Sequence, residues 1–331
     1  MMPLRIAIVG CGLIGRKRAK AAAPHRITVT ADLDLARATA LAADTGARAT
    51  SDWRDAVRAD DVDLVVVATA HDGLAEVALA ALDAGKHVLV EKPGGRTAAE
   101  VTAIADLAER RNLIAKVGFN HRFHPALAGA KQLIASGEFG RVMFIRAAYG
   151  HGGRPGYEKE WRFRKEVSGG GQLIDQGAHL IDLSRWYAGE FAHASGSIRS
   201  FFWDADVEDN CFVNLAGVDG AVAWLHAGWT EWKNRFLFEI MLRDAKLEIA
   251  GLGGSYGPER LTLYRMLPEM GPPETTTWEF PQADRSWEAE MANLAAAIAG
   301  IEPANGTARD AAAMLRLVEE VYAGTELMRV R

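Results

Sequence analysis

Apolar residues in the first 120 positions come in short runs separated by alanine-rich stretches. Arg5–Val9, Ile27–Ala31, Asp63–Ala68, Lys86–Val90 and Ile114–Phe119 read as strands, with a shorter one near Ala47–Thr50. These runs are apolar throughout instead of alternating, the mark of strands buried on both faces of a parallel sheet. Between them, Leu13–Ala23, Leu35–Ala43, Gly73–Ala84 and Thr97–Arg111 read as helices. Strand–helix repetition with short connections specifies a doubly wound α/β domain. Past residue 120 the pattern changes. Arg141–Tyr149, Asn210–Ala216, Ala221–Gly228, Phe236–Leu242 and Lys246–Ala250 read as strands joined by short turns, with Val218-Asp219-Gly220 as a hairpin signal. Pro125 suits the first position of a helix. Ser286–Ala299 and Ala308–Leu327 read as amphipathic helices, the second capped by Thr307 with Asp310 three residues on. The expected domains are residues 1–120 and residues 121–331.

Composition sharpens this division. Of 12 Phe, 9 Trp and 6 Tyr, only Trp53 and Phe119 precede residue 121. Alanine helices lie close to a sheet and need few aromatic side chains. The net charge of −5 is spread unevenly, with +1 in residues 1–120 and −6 beyond. A mildly acidic chain without a basic run argues against nucleic acid and anionic membranes as partners. No apolar run approaches the ~20 residues of a membrane helix. The N-terminus leads straight into a strand and a glycine turn, so no signal peptide is expected. There are two cysteines, Cys11 and Cys211, and a disulfide at Cys11 would obstruct that turn. A reducing, cytoplasmic setting follows.

The first turn carries the most chemistry: Gly10-Cys11-Gly12-Leu13-Ile14-Gly15. Gly10 permits a tight turn, Gly12 lets the backbone approach a pyrophosphate, and Gly15 lets the helix lie against the strand. The helix N-terminus, at Leu13 and Ile14, then offers N–H groups to phosphate. Asp32 follows 20 residues after Gly12, where a carboxylate binds the adenosine ribose. That carboxylate repels a 2′-phosphate, and Leu33 beside it offers no compensating charge. NAD is therefore expected over NADP.

Three further segments extend the pattern. They are Gly85-Lys86-His87-Val88-Leu89-Val90-Glu91-Lys92-Pro93, Asn120-His121-Arg122-Phe123-His124-Pro125, and Gly169-Gly170-Gly171-Gln172-Leu173-Ile174-Asp175-Gln176-Gly177-Ala178-His179. With the glycine turn they resemble the glucose–fructose oxidoreductase, inositol dehydrogenase and rhizopine-catabolism (Gfo/Idh/MocA) family over nearly the whole chain. The resemblance implies an N-terminal Rossmann domain and a C-terminal α+β domain. The latter would be an open, mostly antiparallel sheet with helices on one face, its other face joining subunits into a homodimer or homotetramer. It also implies cofactor contacts at Thr69, His71, Glu91, Lys92 and Asn120. One departure stands out. Where the family reads Thr-Pro-Asn and then His two residues on, this chain has Thr69-Ala70-His71-Asp72-Gly73-Leu74.

The candidate catalytic residues are Lys92, Asp175 and His179. Lys92 follows a buried strand at its C-terminal end, where open parallel sheets bind ligands. Asp175 and His179 are four residues apart, on one face if the segment is helical. His179 would accept a hydroxyl proton, Lys92 would stabilise the charge developing on that oxygen, and Asp175 would orient substrate or imidazole. Asp175–His179 and His121–His124 could also hold a metal, but no cysteine cluster or third ligand joins them and Lys92 would repel a cation. No metal is expected. The long loop through His151, Arg154, Tyr157, Trp161 and Arg162 suits a polyhydroxylated substrate, with Arg122 and Gln172 as further candidate contacts. Its arginines also leave open a phosphate or carboxylate on that substrate. The expected function is hydride transfer between NAD and a hydroxyl carbon of a sugar, cyclitol or nucleotide sugar. The alternatives are an NAD-assisted glycoside hydrolase and a non-catalytic sensor or repressor.

Overall fold

The computed structural model describes residues 3–329. The chain divides into two compact units. The first holds residues up to Asn120 together with 167–169 and 287–313, and the second holds 121–166, 170–286 and 314 onward. The contiguous second domain of the sequence reading is therefore corrected, because the chain returns to the first unit near its end.

In the first unit, β1 (Arg5–Val9), β2 (Arg26–Ala31), β3 (Arg48–Thr50), β4 (Leu64–Val67), β5 (His87–Val90) and β6 (Ala115–Val117) form a parallel sheet in the order β3-β2-β1-β4-β5-β6. The helices between them are α1 (Leu13–Ala21), α2 (Leu35–Thr45), α3 (Trp53–Arg58), α4 (His71–Asp83) and α5 (Ala98–Arg111). All four residues of β4 are fully buried, as a strand covered on both faces requires. The strand order reverses between β1 and β4, so the turns leaving their C-terminal ends run apart and open a crevice. The six-residue helix α3 was not foreseen. Its signal was Asp52, whose carboxylate caps it by accepting the Arg54 N–H. Helix α4 begins at His71, two residues before the expected Gly73, because a glycine inside the first turn did not break the helix.

The second unit opens with α6 (Pro125–Ala135), where Pro125 does occupy the first turn. Its sheet has nine strands: β7 (Val142–Gly150), β8 (Phe191–Ser200), β9 (Asn210–Gly217), β10 (Val222–Gly228), β11 (Arg235–Leu242), β12 (Ala245–Ala250), β13 (Glu259–Arg265), β14 (Glu274–Phe280) and β15 (Met328–Arg329). The order is β14-β13-β12-β11-β7-β10-β9-β8-β15, antiparallel except at β7–β10 and β8–β15. Burial alternates along β9 to β13, so one face is packed and the other is open. The one-turn α7 (Lys165–Ser168) precedes α8 (Ala178–Ala188), whose Leu180, Ile181, Leu183 and Tyr187 are buried. The Tyr187 hydroxyl donates to the Leu127 carbonyl at 2.8 Å, tying α8 to α6.

Two helices close the chain, α9 (Ser286–Ile298) and α10 (Ala308–Gly324). Met291 and Leu294 of α9 pack with Ile6, Ile8, Leu64 and Leu89, in the core of the parallel sheet. This helix therefore belongs to the first unit, although the sequence reading placed it within residues 121–331. Thr307 and Asp310 cap α10 reciprocally: the Thr307 N–H donates to the Asp310 carboxylate at 2.8 Å, and the Asp310 N–H donates to Thr307 Oγ1 at 3.2 Å.

Candidate active site

In the first unit the glycine turn follows β1 into α1. Gly10 has φ +94°, and a Cβ there would lie 2.4 Å from the Ala68 carbonyl oxygen at the end of β4. A Cβ on Gly15 would lie 1.9 Å from the Gly10 carbonyl oxygen. Gly12 differs: a Cβ there would meet nothing within 4 Å. It caps α1 with no side-chain acceptor. No side-chain cap bonds the first turn, and Gly12 leaves room beside it, the arrangement an anion needs. At the end of β2, the Asp32 carboxylate accepts the Cys11 N–H at 2.8 Å and the Asp34 N–H at 2.9 Å. Its position is set by the same backbone that forms the cradle. Past β4, the Thr69 hydroxyl donates to the Ala70 carbonyl at 3.0 Å. His71 is buried, with Nδ1 2.8 Å from the Ser168 carbonyl. A carbonyl only accepts, so Nδ1 carries the proton. These residues fit a dinucleotide. The diphosphate would lie on the backbone at Gly12, Leu13 and Ile14, and the ribose on Asp32.

In the second unit the stretch leading into α8 is not plain α-helix. Leu173–Gly177 is a π-helical turn, so Asp175 lies on a widened turn and His179 on the first turn of α8. The segment expected to be plain helix therefore carries a π-turn at Asp175. Glu208 pins this turn. Its Oε1 accepts the Gly171 N–H at 3.1 Å, the Leu173 N–H at 3.0 Å and the Tyr322 hydroxyl at 2.7 Å. The glycines before the turn make room for that clamp. A Cβ on Gly170 would meet the Tyr322 hydroxyl at 2.1 Å, and one on Gly171 the Glu208 carbonyl oxygen at 2.1 Å. Burial raises the Glu208 carboxyl above its ordinary range, opposed by these same hydrogen bonds.

His179 is buried and stacks on His121, ring centroids 3.8 Å apart and planes 24° apart. Tyr149 on β7 stands 5.4 Å from His121 and 6.3 Å from His179. Tyr149 hydrogen-bonds Tyr256, which also bonds the Gln176 side chain. Burial lifts the Tyr149 phenol well above its ordinary range, so it remains a donor at neutral pH. Arg162 Nε lies 3.7 Å from the Asp175 carboxylate. Asp175, His179, two phenols and a carboxamide can together exchange protons and hydrogen bonds with a hydroxylated ligand.

Residues 4–119 match the family model described as "Oxidoreductase family, NAD-binding Rossmann fold", and residues 127–256 match the "GFO/IDH/MocA C-terminal domain". The chain belongs to the Gfo/Idh/MocA family. Levoglucosan dehydrogenase of Pseudarthrobacter phenanthrenivorans is 35% identical over 215 residues, covering 61% of this chain and 55% of that protein. Inositol 2-dehydrogenase 2 of Saccharopolyspora erythraea is 32% identical over 231 residues, covering 67% and 65%. The aligned stretch thus spans 55% and 65% of these two curated relatives. A solved structure of levoglucosan dehydrogenase with NADH and levoglucosan is similar across 98% of this chain and 97% of that one, with a TM-score of 0.87 and 25% identity.

In this Gfo/Idh/MocA chain, several residues expected in the site are committed elsewhere. Glu91, expected at the cofactor, is 9% exposed and accepts from Arg18 Nε at 2.6 Å. Arg18 also donates to Glu290, beneath the Trp287 ring at 4.3 Å. Glu91 therefore belongs to an internal ion cluster of the first unit. Lys92 is half-buried beside it at the end of β5, and Asn120 is buried after β6. Arg122 donates to Asp182 at 2.9 and 2.6 Å and is an internal tie instead of a substrate contact. Tyr157 packs among Phe163, Trp203 and Trp229, so it is a core residue. Gln172 has no exposed surface and donates to Gln176 at 3.0 Å. Arg154 is exposed and pairs with Glu160. The Arg162 guanidinium lies over the Trp161 ring at 4.6 Å. No group of three metal-capable side chains gathers among the described residues. Sequence reasoning missed Glu208, Tyr149, Tyr256 and the stacked role of His121, because no local spacing links these positions.

Proposed function

We propose that the chain is an NAD-dependent dehydrogenase of an uncharged polyhydroxylated molecule, a sugar or cyclitol. The observation that carries this reading is the open, uncapped turn at Gly12 with Asp32 held beside it, in a chain whose other unit gathers Asp175 and His179. When bound, NAD supplies the hydride acceptor. His179 takes the substrate hydroxyl proton on Nε2, since Nδ1 has no solvent access. Lys92, at the C-terminal end of β5, is the first unit's candidate for stabilising charge that develops on a substrate oxygen. Asp175 orients a neighbouring hydroxyl, and Tyr149 and Tyr256 stay protonated as donors.

The charge balance favours a neutral substrate. Arg122 is tied to Asp182, Arg154 to Glu160, and Arg162 lies between Glu160 and Asp175. Screening sugars, cyclitols, sugar phosphates and nucleotide sugars with NAD and NADP, read by nicotinamide absorbance, tests the proposal. Turnover of a neutral polyol with NAD is expected. Tight NAD binding without turnover of any of them would overturn the enzyme reading in favour of a sensor.

We further propose that a second copy covers the open face of the nine-stranded sheet. That face holds a groove of about 480 Å³ lined by Phe212, Trp224, Leu225 and Leu237 among others, with Trp224 67% exposed. Exposed aromatic surface of this kind marks an interface. Light scattering should report a dimer or tetramer that Trp224→Glu weakens. A native monomer would contradict this. Two buried free thiols, Cys11 and Cys211, support a reducing cytoplasmic setting. Among the described residues no helix is long and apolar enough to cross a membrane.

A further inference from the structure

His121 lies outside the set of residues so far given a chemical role, yet its ring stacks on that of His179. The centroid separation of 3.8 Å is a face-to-face contact between two imidazoles. His121 is held there from its other sides. His124 meets it edge-on at 5.5 Å, Tyr149 tilts against it at 5.4 Å and Phe236 at 6.1 Å. His124 is itself fixed, because Nδ1 bonds the Glu259 carboxylate at 2.9 Å and Glu259 accepts the Ala126 N–H at 2.8 Å. His121 therefore sits at a set height over His179 instead of packing loosely in a core.

Two imidazolium rings cannot share such a contact, since like charges at this range disfavour the second protonation. One imidazolium over one neutral imidazole carries no such penalty. The surrounding titratable groups are Tyr149 on β7, Tyr256 in the turn after β12, Asp175 on the π-helical turn, and Glu259 and Asp284 around His124. Arg122, next to His121 in sequence, is neutralised by Asp182. Arg162 lies 3.7 Å from Asp175 and 3.5 Å from Glu160, between two carboxylates.

We propose that His121 is a positioning residue for His179 and holds the pair to a single shared proton, so that His179 stays partly neutral in acid where a lone histidine would be fully charged. The inference rests on His179 being the base. For two model imidazoles at the reference value of about 6.5 that admit one proton between them, about half of either ring is neutral at about pH 5.5, against about one-tenth for a lone histidine. The acid limb of turnover therefore gains a shoulder.

The direct test needs no substrate. The His179 ring signal is followed by NMR from about pH 8 to pH 4 in the native chain and in His121→Phe, with His121→Gln as the second variant should Phe not fold. Native His179 should titrate in two separated steps, and in a single step in the variant. Superimposable curves overturn the proposal. With a substrate in hand, the variant should lose about fivefold more activity than the native enzyme at about pH 5.5 relative to about pH 8. The two possible failures are distinguishable. If His179→Ala abolishes turnover while the curves coincide, His179 remains the base and the shared proton is wrong. If the two-step titration is present but His179→Ala turns over normally, the pair exists and the base assignment is wrong.

Discussion

The two units build their chemistry from opposite materials. In the first, the candidate site is mostly backbone: glycines remove side chains at Gly10, Gly12 and Gly15, and the one side chain in the cradle, Asp32, is held by main-chain N–H groups. In the second, it is side chains stacked on one another, His121 on His179 with Tyr149 across them, seated on a turn that Glu208 holds from below. A backbone cradle tolerates no added atom where the chain touches itself but accepts one where the ligand goes. A side-chain cluster tolerates conservative exchange and fails when a buried partner is removed.

The largest expected effect is at Gly15. The Cβ of Gly15→Ala would overlap the Gly10 carbonyl at 1.9 Å, a backbone atom that cannot step aside. Destabilisation of about 4 kcal/mol or more is expected, seen as little folded protein and no NADH binding. Gly12→Ala sharpens the contrast. Its Cβ meets open space, so the melting temperature without ligand should match the native chain. NADH affinity, by fluorescence titration, should fall by about tenfold or more as the Cβ takes the diphosphate's place. An unchanged affinity would mean that the cradle is not where the cofactor binds.

Removing a buried acceptor is the corresponding break in the second unit. Glu208→Ala strands the Gly171 and Leu173 N–H groups and the Tyr322 hydroxyl. A loss of about 3 kcal/mol in urea unfolding is expected, with Glu208→Gln recovering most of it because its amide oxygen still accepts. The smallest effect is at the rim of the parallel sheet. The Arg5 guanidinium holds the Asp63 carboxyl below its ordinary range. Its contribution is therefore complete above about pH 4 and lost as the pH falls through the lowered value. The two side chains are 46% and 34% exposed, so Asp63→Asn should cost under about 1 kcal/mol at neutral pH, and less as the pH falls through the lowered value.

The contrast in materials also explains what could be read in the sequence. A backbone cradle is local: Gly10 to Gly15 and Asp32 are neighbours along the chain, and the apolar runs around them announce a parallel sheet. Even there, the inward turn of Glu91 escaped notice, since its partner Arg18 lies 73 positions away in sequence, and the second carboxylate on Arg18, Glu290, lies 272 positions from that arginine. In the second unit the important contacts are all distant. His121 and His179 are 58 residues apart, and Glu208 reaches its turn and Tyr322 from either side in sequence. The Gly169-Gly170-Gly171 run was legible as a place of close approach. What approaches, the Tyr322 hydroxyl and the Glu208 backbone, was not. The arginines of the long loop pointed to an anionic ligand because their carboxylate partners are visible only in the fold.

The central claim is that cofactor binding resides in the backbone of the first unit and proton transfer in the imidazole of the second. His179→Ala separates the two when NADH affinity and polyol-dependent NAD reduction are measured on one preparation. The account predicts native NADH affinity with turnover reduced about 100-fold or more. Turnover within a few-fold of the native enzyme would contradict it.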